Sequence, residues 1–325
     1  MKIRSLVTTV LAAAGMLAAA VAVAQTYPSR PIKLIVPWTP AGTVDISSRL
    51  LAERLSARLG QPVVVENRPG ATGRVGSTAV TQAAPDGYTL LAMSATVHTF
   101  SPNLSKRFPF DPIEDFAVVS QTVSFPYTMV VPANSRFMSV ADVAAYAKAN
   151  PGKVSYASFG LGSGPYMVSE LFALQTGTQL LHVPYKGAAP AITDLLGGQV
   201  DFFIDSLPSP LGQIRAGKLR ALAVSTPKRS SFLPDVPAMA ETIPGFEATV
   251  WLGIAASPKT PRDIVNRLNA EIRAISAEPE YVERLKNSGL EATASASPEA
   301  FREFLVAQKK YWGDFVQRAK IPLSD

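Results

Sequence analysis

Short apolar runs alternate in this chain with longer segments whose apolar residues recur at helical spacing. The run from Ile32 to Val36 predicts a buried strand, and the recurrence from Ile46 to Leu59, ended by Gly60, predicts a helix. The same alternation returns several times further along the chain. It predicts an α/β fold with mostly parallel sheets that helices cover on both faces.

Short apolar runs and helical spacing of apolar residues also predict the other elements. Turn-rich segments such as 67–73 and 150–152 separate these elements. Further strands are predicted at 62–66, 88–94, 154–158, 179–183, 200–204 and 219–225. Further helices are predicted at 74–84, 142–149, 189–196 and 261–275, and from 165 and 297 onward.

Two glycine-bearing loops each stand between a strand and a helix start. The first loop, residues 37–43, leads into a helix from about Val44, and the second loop, residues 160–164, leads into a helix from about Pro165. A helix N-terminus presents unpaired backbone N–H groups and a partial positive charge, and glycine lets a ligand approach the backbone closely. Two such anion sites in one chain predict the capture of a small carboxylate.

Two extended segments, 120–131 and 246–256, are rich in β-branched and aromatic residues. If both segments cross between two halves of the molecule, the chain leaves a first domain, forms a second domain and then returns to the first. The prediction is a discontinuous first domain of residues 25–125 plus 251–325 and a second domain of residues 126–250. The two crossing strands would form a hinge, with the ligand cleft between the domains.

The first 24 residues have the pattern of an export signal. Lys2 and Arg4 precede an apolar run from Leu6 to Val23, and Ala22-Val23-Ala24 is an A-x-A cleavage site. The alternative is a membrane anchor, because the run is nearly long enough to span a bilayer. The small residues at its end favour cleavage, which removes 24 of the 325 residues and leaves a soluble periplasmic chain of 301.

The composition excludes several kinds of chemistry. The chain has no cysteine, and its two histidines, His98 and His182, are far apart, so neither a thiol nucleophile nor a transition-metal site is expected. The net charge is +6, but the basic residues are scattered, which disfavours nucleic-acid binding. No P-loop, dinucleotide fingerprint or G-x-S-x-G elbow is present. We expect no cofactor, no metal and no catalysis; a periplasmic hydrolase is the enzyme alternative.

Five segments carry a resemblance to a known family, and they lie at 27–32, 36–45, 65–71, 84–90 and 183–187. From about residue 26 to 320 the chain resembles the substrate-binding receptors of tripartite tricarboxylate transporters, the Bug-type or TctC-like proteins. The resemblance implies a type II periplasmic binding protein with two α/β domains that close on a ligand. It also implies a carboxylate as that ligand: a di- or tricarboxylate, an acidic amino acid or an aromatic acid.

The resemblance further implies which residues bind. In the family one carboxylate is held by the first loop, largely through backbone groups and ordered water. Binding roles follow in this chain for Ala41, Gly42, Thr43 and Asp45, and, from the second domain, for Ser158, Gly160, Gly162, Ser163 and Asp205. Family members more often have glycine where this chain has Ala41 and histidine where it has Tyr166, and these positions bear on ligand size.

Further candidates come from the residues themselves. Trp38 and Phe159 flank the two loops, and they are either core aromatics or stack on the ligand. Asp45 either complements its helix dipole or accepts a bond from ligand-bridging water or a ligand ammonium group. Three residues at a strand end and one turn lysine complete the set: Ser94, Thr96, His98 and Lys186. Each has an alternative structural role, and for His182 the structural role is preferred.

The functional prediction is a monomeric receptor that delivers a small organic acid to the permease subunits of a tripartite tricarboxylate transporter. The alternative is a receptor whose bound form is read by a sensor kinase, without transport.

Overall fold

The computed structural model describes residues 27–323, so the predicted export signal lies outside the described residues. Ten strands occur in that range, and we number them in chain order. They are β1 (Ile32–Val36), β2 (Val63–Asn67), β3 (Thr89–Ser94), β4 (Ala117–Pro132), β5 (Ser155–Ser158), β6 (Leu181–Pro184), β7 (Phe202–Ser206), β8 (Leu219–Val224), β9 (Thr249–Ala256) and β10 (Glu291–Ala292).

Nine α-helices lie between and after these strands in the described range. They are α1 (Thr43–Leu59), α2 (Arg74–Thr81), α3 (Val140–Ala149), α4 (Gly164–Thr176), α5 (Ala188–Leu196), α6 (Leu211–Arg215), α7 (Arg262–Ser276), α8 (Pro279–Asn287) and α9 (Pro298–Arg318). The α/β class and the predicted strand at Ile32–Val36 are therefore confirmed. The short α6 and β10 were not predicted, because elements of five and two residues leave almost no periodic signal.

The strands form a continuous path in the order β2-β1-β3-β9-β4-β7-β5-β6, with β8 and β10 also paired to β4. The outer pairs, β1 with β2 and β3, and β5 with β6 and β7, are parallel. The pairs that involve β4 or β9 are antiparallel. The prediction of mostly parallel sheets was thus wrong for the middle of the path, because β4 and β9 each run against their neighbours.

The long strand β4 belongs to both halves of the molecule. Its first part pairs with β9 as far as Pro126, which lies opposite Thr249, and its second part pairs with β7 from Tyr127 onward. The second crossing runs beside it, where Ser225 donates its amide to the Tyr127 carbonyl at 2.9 Å and accepts the Ala248 amide at 3.0 Å. The predicted domain boundary near 125–126 falls at this change of partner; independent movement of the halves stays a prediction.

The helices bury their apolar sides against the strands. In α9 one apolar face is buried: Phe301, Leu305, Trp312 and Phe315 are almost inaccessible to solvent, and Phe304 on the same face is half-buried. Phe301 packs edge-on against Trp251 of β9, with ring centroids 5.8 Å apart. The C-terminal helix is thereby fixed to one of the strands next to the crossing.

Candidate functional site

A cavity of about 400 Å³ lies where the two halves meet, at the carboxyl ends of β1, β3, β5 and β7. Ligands bind in this position in open α/β sheets. Seven of the predicted site residues line it, and they come from both halves: Trp38, Gly42, Thr43, Ser94, Thr96, Ser163 and Asp205. Phe159 lines it as well. Ala41, Asp45, His98, Ser158, Gly160, Gly162 and Lys186 do not line it.

The first loop leaves the N-terminus of α1 open to the cavity. Gly42 caps the helix without a side-chain hydrogen bond, and the Ile46 amide makes the first intrahelical bond, to the Gly42 carbonyl at 2.9 Å. The amides of the preceding turn have no intrahelical partner. Gly42 has an ordinary φ of −78°, so the backbone does not require glycine there. The left-handed residue is Ala41, with a φ of 65°.

Asp45 holds the first loop in place and does not face the cavity. Its carboxylate is 3% exposed and accepts bonds from the Ala41 amide at 2.9 Å, Asn67 Nδ2 at 2.8 Å and Arg49 at 3.0 Å. Burial raises the pKa of Asp45, but these hydrogen bonds outweigh burial and leave the pKa below its ordinary value. The structural role of Asp45 is thereby accounted for within the protein, and the alternative that it accepts a bond from ligand-bridging water or a ligand ammonium group stays a prediction.

The second loop brings the N-terminus of α4 to the same cavity. Gly160 and Gly162 have left-handed φ values of 94° and 79°, which favour glycine. Ser163 Oγ closes the loop by donating to the Gly160 carbonyl at 2.7 Å and accepting the Phe159 amide at 3.2 Å. Gly160 and Gly162 thus shape the loop, whereas Ser163, Gly164 and Pro165 form the wall.

Ser158 and His182 form a hydrogen-bonded pair behind the second loop. Ser158 Oγ lies 2.5 Å from His182 Nε2 and accepts the Gly160 amide at 2.9 Å. The His182 ring stacks on Tyr156 with centroids 5.2 Å apart, and burial lowers the pKa of the imidazole. Ser158 is fully buried and lies outside the cavity lining, so its expected direct contact with a ligand is corrected to support of the loop.

His98 is a core residue, which corrects its prediction as a cleft residue. It is fully buried, its Nδ1 lies 2.8 Å from the Pro112 carbonyl, and its ring contacts Phe110 and Phe116. Burial lowers its pKa to about 4. The segment Thr96–Phe100 is helical, and two positions along a helical turn point to nearly opposite sides. Thr96 therefore lines the cavity while His98 points into the core.

Lys186 is exposed and lies outside the cavity lining. Among the described residues that line the cavity there is no lysine, arginine or histidine. Backbone amides, hydroxyl groups and the Trp38 indole are the donors that remain. Any anion bound in this cavity would therefore be held by neutral groups and by the positive ends of α1 and α4.

Asp205 brings a buried carboxyl group to the cavity. It is 3% exposed, and its Oδ1 accepts the Ser206 amide at 2.8 Å; Oδ2 is inaccessible to solvent, and the hydroxyl of Ser209 lies close enough to act on the carboxyl group. Burial raises its pKa to about 6, against the weaker opposite effect of the bonds from serine donors. The neighbouring Tyr127 is kept neutral because burial and the charge of Asp205 both raise its pKa.

Three buried polar atoms on the cavity wall have no partner within the described residues: Trp38 Nε1, Ser94 Oγ and Asp205 Oδ2. Buried polar groups in folded proteins are nearly always hydrogen-bonded. These three atoms have almost no accessible surface, so a ligand in the cavity reaches them only if the wall rearranges.

The crossing strands supply wall residues that were not predicted as site residues: Phe125, Tyr127, Val250 and Leu252. They lie in the segments already predicted to cross between the halves. These four residues could have been predicted, because a strand that crosses between the halves runs beside the cleft. Leu161 lies in the second predicted loop and Thr72 in the turn-rich segment 67–73, and both also line the cavity although neither was predicted as a site residue.

Residues 27–323 contain neither a metal-binding cluster nor a membrane-spanning helix. No group of three or more histidine, aspartate or glutamate side chains is placed to hold a metal ion. No helix is both long and apolar enough to cross a membrane.

Known proteins are similar to this chain in sequence and fold. The family model described as the tripartite tricarboxylate transporter family receptor matches residues 47–321. Protein BugT of Bordetella pertussis is 38% identical over 296 residues, which cover 90% of each chain.

Two solved structures are similar in fold and sequence. R. palustris Rpa4515 with adipate has a TM-score of 0.84 and 33% identity, covering 92% of this chain and all of the other. MatC (Rpa3494) from Rhodopseudomonas palustris with bound malate has a TM-score of 0.78 and 28% identity, covering 89% of this chain and all of the other. The predicted periplasmic-binding-protein fold is thereby confirmed.

Proposed function

This chain belongs to the tripartite tricarboxylate transporter receptor family, and we propose that it is a receptor for a small organic carboxylate bound in the cavity between its halves. The related structures that hold adipate and malate support this ligand class. So do the two helix N-termini at the cavity, because each favours an anionic group.

The observation that carries the proposal is that two helix N-termini, the start of α1 and the start of α4, line the same cavity. Apolar side chains form much of the remaining wall, among them Phe125, Val250 and Leu252. Such a site fits a small molecule that has a charged end and an apolar body.

We further propose how the receptor works in the cell. It is exported to the periplasm, acts as a monomer and delivers its ligand to the membrane permease of a tripartite transporter. It binds without turnover. Ser158 and His182 form a hydrogen-bonded pair of a hydroxyl and a base, but Ser158 is buried, His182 is half-buried and neither lines the cavity, which supports a receptor over a hydrolase.

A thermal-shift screen tests the proposal. The protein is unfolded, dialysed and refolded to remove bound ligand, and is then screened against adipate, malate, citrate, glutamate, aspartate and benzoate. A binding acid at 100 times its dissociation constant should stabilise the protein by about 2.7 kcal/mol. The methyl ester of the best acid is the matched control, and it should give a smaller shift. If no acid raises the melting temperature above that of its ester, the proposal is wrong.

A further inference from the structure

A chain of hydrogen bonds links the imidazole of His182 to the start of α4. His182 Nε2 lies 2.5 Å from Ser158 Oγ, and Ser158 Oγ accepts the Gly160 amide at 2.9 Å. The Gly160 carbonyl in turn accepts Ser163 Oγ at 2.7 Å and the Ser163 amide at 3.2 Å. Ser163 is the N-cap residue of α4 and lines the cavity. The second loop is therefore connected, through Ser158, to a titratable side chain behind it.

The bonds of Ser158 determine which form of His182 fits. A hydroxyl group has one hydrogen to donate. Ser158 is fully buried, and among the described residues His182 Nε2 is the acceptor within reach of that hydrogen. Nε2 must then be unprotonated, which is the neutral imidazole with its hydrogen on Nδ1. The hydrogen-bonded arrangement behind the second loop therefore requires neutral His182.

Protonation of His182 reverses this bond. An imidazolium donates from both ring nitrogens, so Nε2 would present a hydrogen to an oxygen that already accepts the Gly160 amide. The hydroxyl hydrogen of Ser158 would then lie in a buried space without an acceptor, which destabilises the arrangement. Ser158 can regain an acceptor by turning away from Gly160, and that movement frees the second loop.

The groups packed around His182 set how readily it takes up a proton. Tyr156 lies opposite it on β5 and stacks on its ring, and the ring of Tyr166 on α4 lies 5.0 Å away between centroids. Glu170, also on α4, accepts the Tyr156 hydroxyl at 2.6 Å, and its negative charge favours an imidazolium. Burial has the opposite effect and lowers the pKa of His182 below its ordinary value. His182 is half-buried, so protons from water reach it as the pH falls.

We propose that neutral His182 is the positioning residue of the second loop, and that its protonation frees this loop and weakens the binding of a carboxylate at the start of α4. His182 does not line the cavity, so it acts on binding through Ser158 and Gly160. The effect on binding rests on the proposed function. The hold on the loop is a property of the protein without ligand.

Nuclear magnetic resonance of protein labelled at histidine and glycine tests the hold on the loop. His98 is fully buried and has a pKa of about 4, so its titration is separate from that of His182. At pH 8 His182 should carry its hydrogen on Nδ1. As His182 takes up a proton, the protection of the Gly160 amide from exchange with water should fall about tenfold or more. The Gly177 amide, at the other end of α4, is the control and should keep its protection.

Calorimetry measures the effect on binding with the acid that gives the largest thermal shift among adipate, malate, citrate, glutamate, aspartate and benzoate. Asp205 on the cavity wall also titrates, so each variant is compared with wild type at the same pH. His182→Gln offers Ser158 an acceptor that cannot be protonated. Its affinity should equal that of wild type at pH 8, and should be about fivefold higher or more at one pH unit below the midpoint of the His182 titration. His182→Phe keeps a ring on Tyr156 without an acceptor, and it should bind more weakly than wild type at pH 8.

The outcomes separate the two parts of the inference from the proposed function. A hydrogen on Nε2 at pH 8, unchanged protection of Gly160 as His182 titrates, or a His182 that stays neutral until the protein unfolds overturns the hold on the loop. These measurements use the wild type, so a variant that fails to fold does not affect them. Equal affinities of wild type and folded His182→Gln below the midpoint overturn the effect on binding. If none of the six acids binds, the proposed function is wrong, and the resonance measurements still decide the hold.

Discussion

The hydroxyl oxygen of Tyr127 occupies the space that a β-carbon on residue 164 would need, because such a carbon on Gly164 would lie only 2.0 Å from it. Tyr127 belongs to the crossing strand β4, and Gly164 is the first residue of α4. The start of α4 is thus seated directly on the strand that joins the two halves. The absence of a side chain at 164 sets the position of the second anion site.

Gly164→Ala should therefore lower the free energy of unfolding by about 1–3 kcal/mol, the usual effect of overpacking. Urea unfolding measures the loss. The matched control is Gly212→Ala, because a β-carbon at that exposed helical glycine meets no atom within 4 Å. The double variant with Tyr127→Phe should recover only part of the loss, since ring carbons at 2.8 and 2.9 Å remain. Equal stability of Gly164→Ala and Gly212→Ala would contradict the packing argument.

Gly42→Val tests the first loop. The backbone accepts the change, because φ is −78° and the nearest atom to a new β-carbon, the Thr39 carbonyl oxygen, is 3.6 Å away. The branched side chain nevertheless fills the space before the α1 amides, so carboxylate affinity should fall more than tenfold, or about 1.4 kcal/mol. Calorimetry with the best acid from the screen measures it.

The matched control for this change is Gly197→Val, at an exposed glycine with the same φ of −78° and no place on the cavity wall. It should leave affinity unchanged. Wild-type affinity in folded Gly42→Val would move the anion site away from the first loop.

Local patterns explain why much of the fold could be predicted. A buried strand such as Ile32–Val36 and a glycine-ended helix such as α1 are encoded by neighbouring residues, through periodicity and turn chemistry. The prediction of mostly parallel sheets failed because the direction of β9 depends on where the chain returns from. That information lies in contacts between distant residues, such as Leu90 with Ala256.

The two loops of the site could be predicted from neighbouring residues. The roles of individual side chains could not, because they depend on contacts between distant residues. Both loops reach the cavity, as a strand–glycine–helix pattern indicates. The roles of Asp45 and His98 depend on partners elsewhere, Asn67 for Asp45 and Pro112 for His98. An acidic residue in a first helical turn looks the same in sequence whether its oxygens face a ligand or a neighbouring strand.

Trp38 lines the cavity, and its indole N–H is buried and unpaired within the described residues. If ligand binding draws this N–H into a hydrogen bond with the carboxylate, Trp38→Phe should weaken binding about tenfold or more, because a hydrogen bond to a charged group is worth roughly 1.5–3 kcal/mol. The matched control is Trp251→Phe. Trp251 Nε1 is also buried and unpaired within the described residues, but this tryptophan packs on Phe301 and Phe304 outside the cavity wall.

The control should lose stability and keep its affinity, whereas Trp38→Phe should keep most of its stability and lose affinity. Calorimetry and urea unfolding of both variants separate the two effects. The reverse pattern would exclude Trp38 Nε1 as a ligand donor.

Asp205 should make stability depend on pH. Its pKa is raised to about 6 by burial, so the native state holds this proton more tightly than the unfolded chain, whose aspartate pKa is about 4. The stabilisation is complete below about pH 4 and is lost as the pH rises to about 6, a change of about 3 kcal/mol. Asp205→Asn lacks this titration.

The free energy of unfolding of Asp205→Asn should therefore rise relative to wild type by about 3 kcal/mol between pH 4 and pH 7. Urea unfolding of both proteins across that range measures it. Parallel curves for Asp205→Asn and wild type would contradict the raised pKa.

Ligand binding should draw the two halves together. They are joined where β4 changes partner after Pro126 and where Ala248 pairs with Ser225. The second loop also contacts the first half, because a β-carbon on Gly162 would lie 3.0 Å from Leu104 Cδ1. A ligand that contacts both the α1 and α4 N-termini binds the closed form better and so increases its population.

Small-angle scattering should show a smaller radius of gyration with the best acid than without it. The variant Gly42→Val lacks the ligand contact at the first loop, so its radius of gyration should stay large at the same acid concentration. If the wild-type profiles with and without a bound acid coincide, the junction does not act as a hinge.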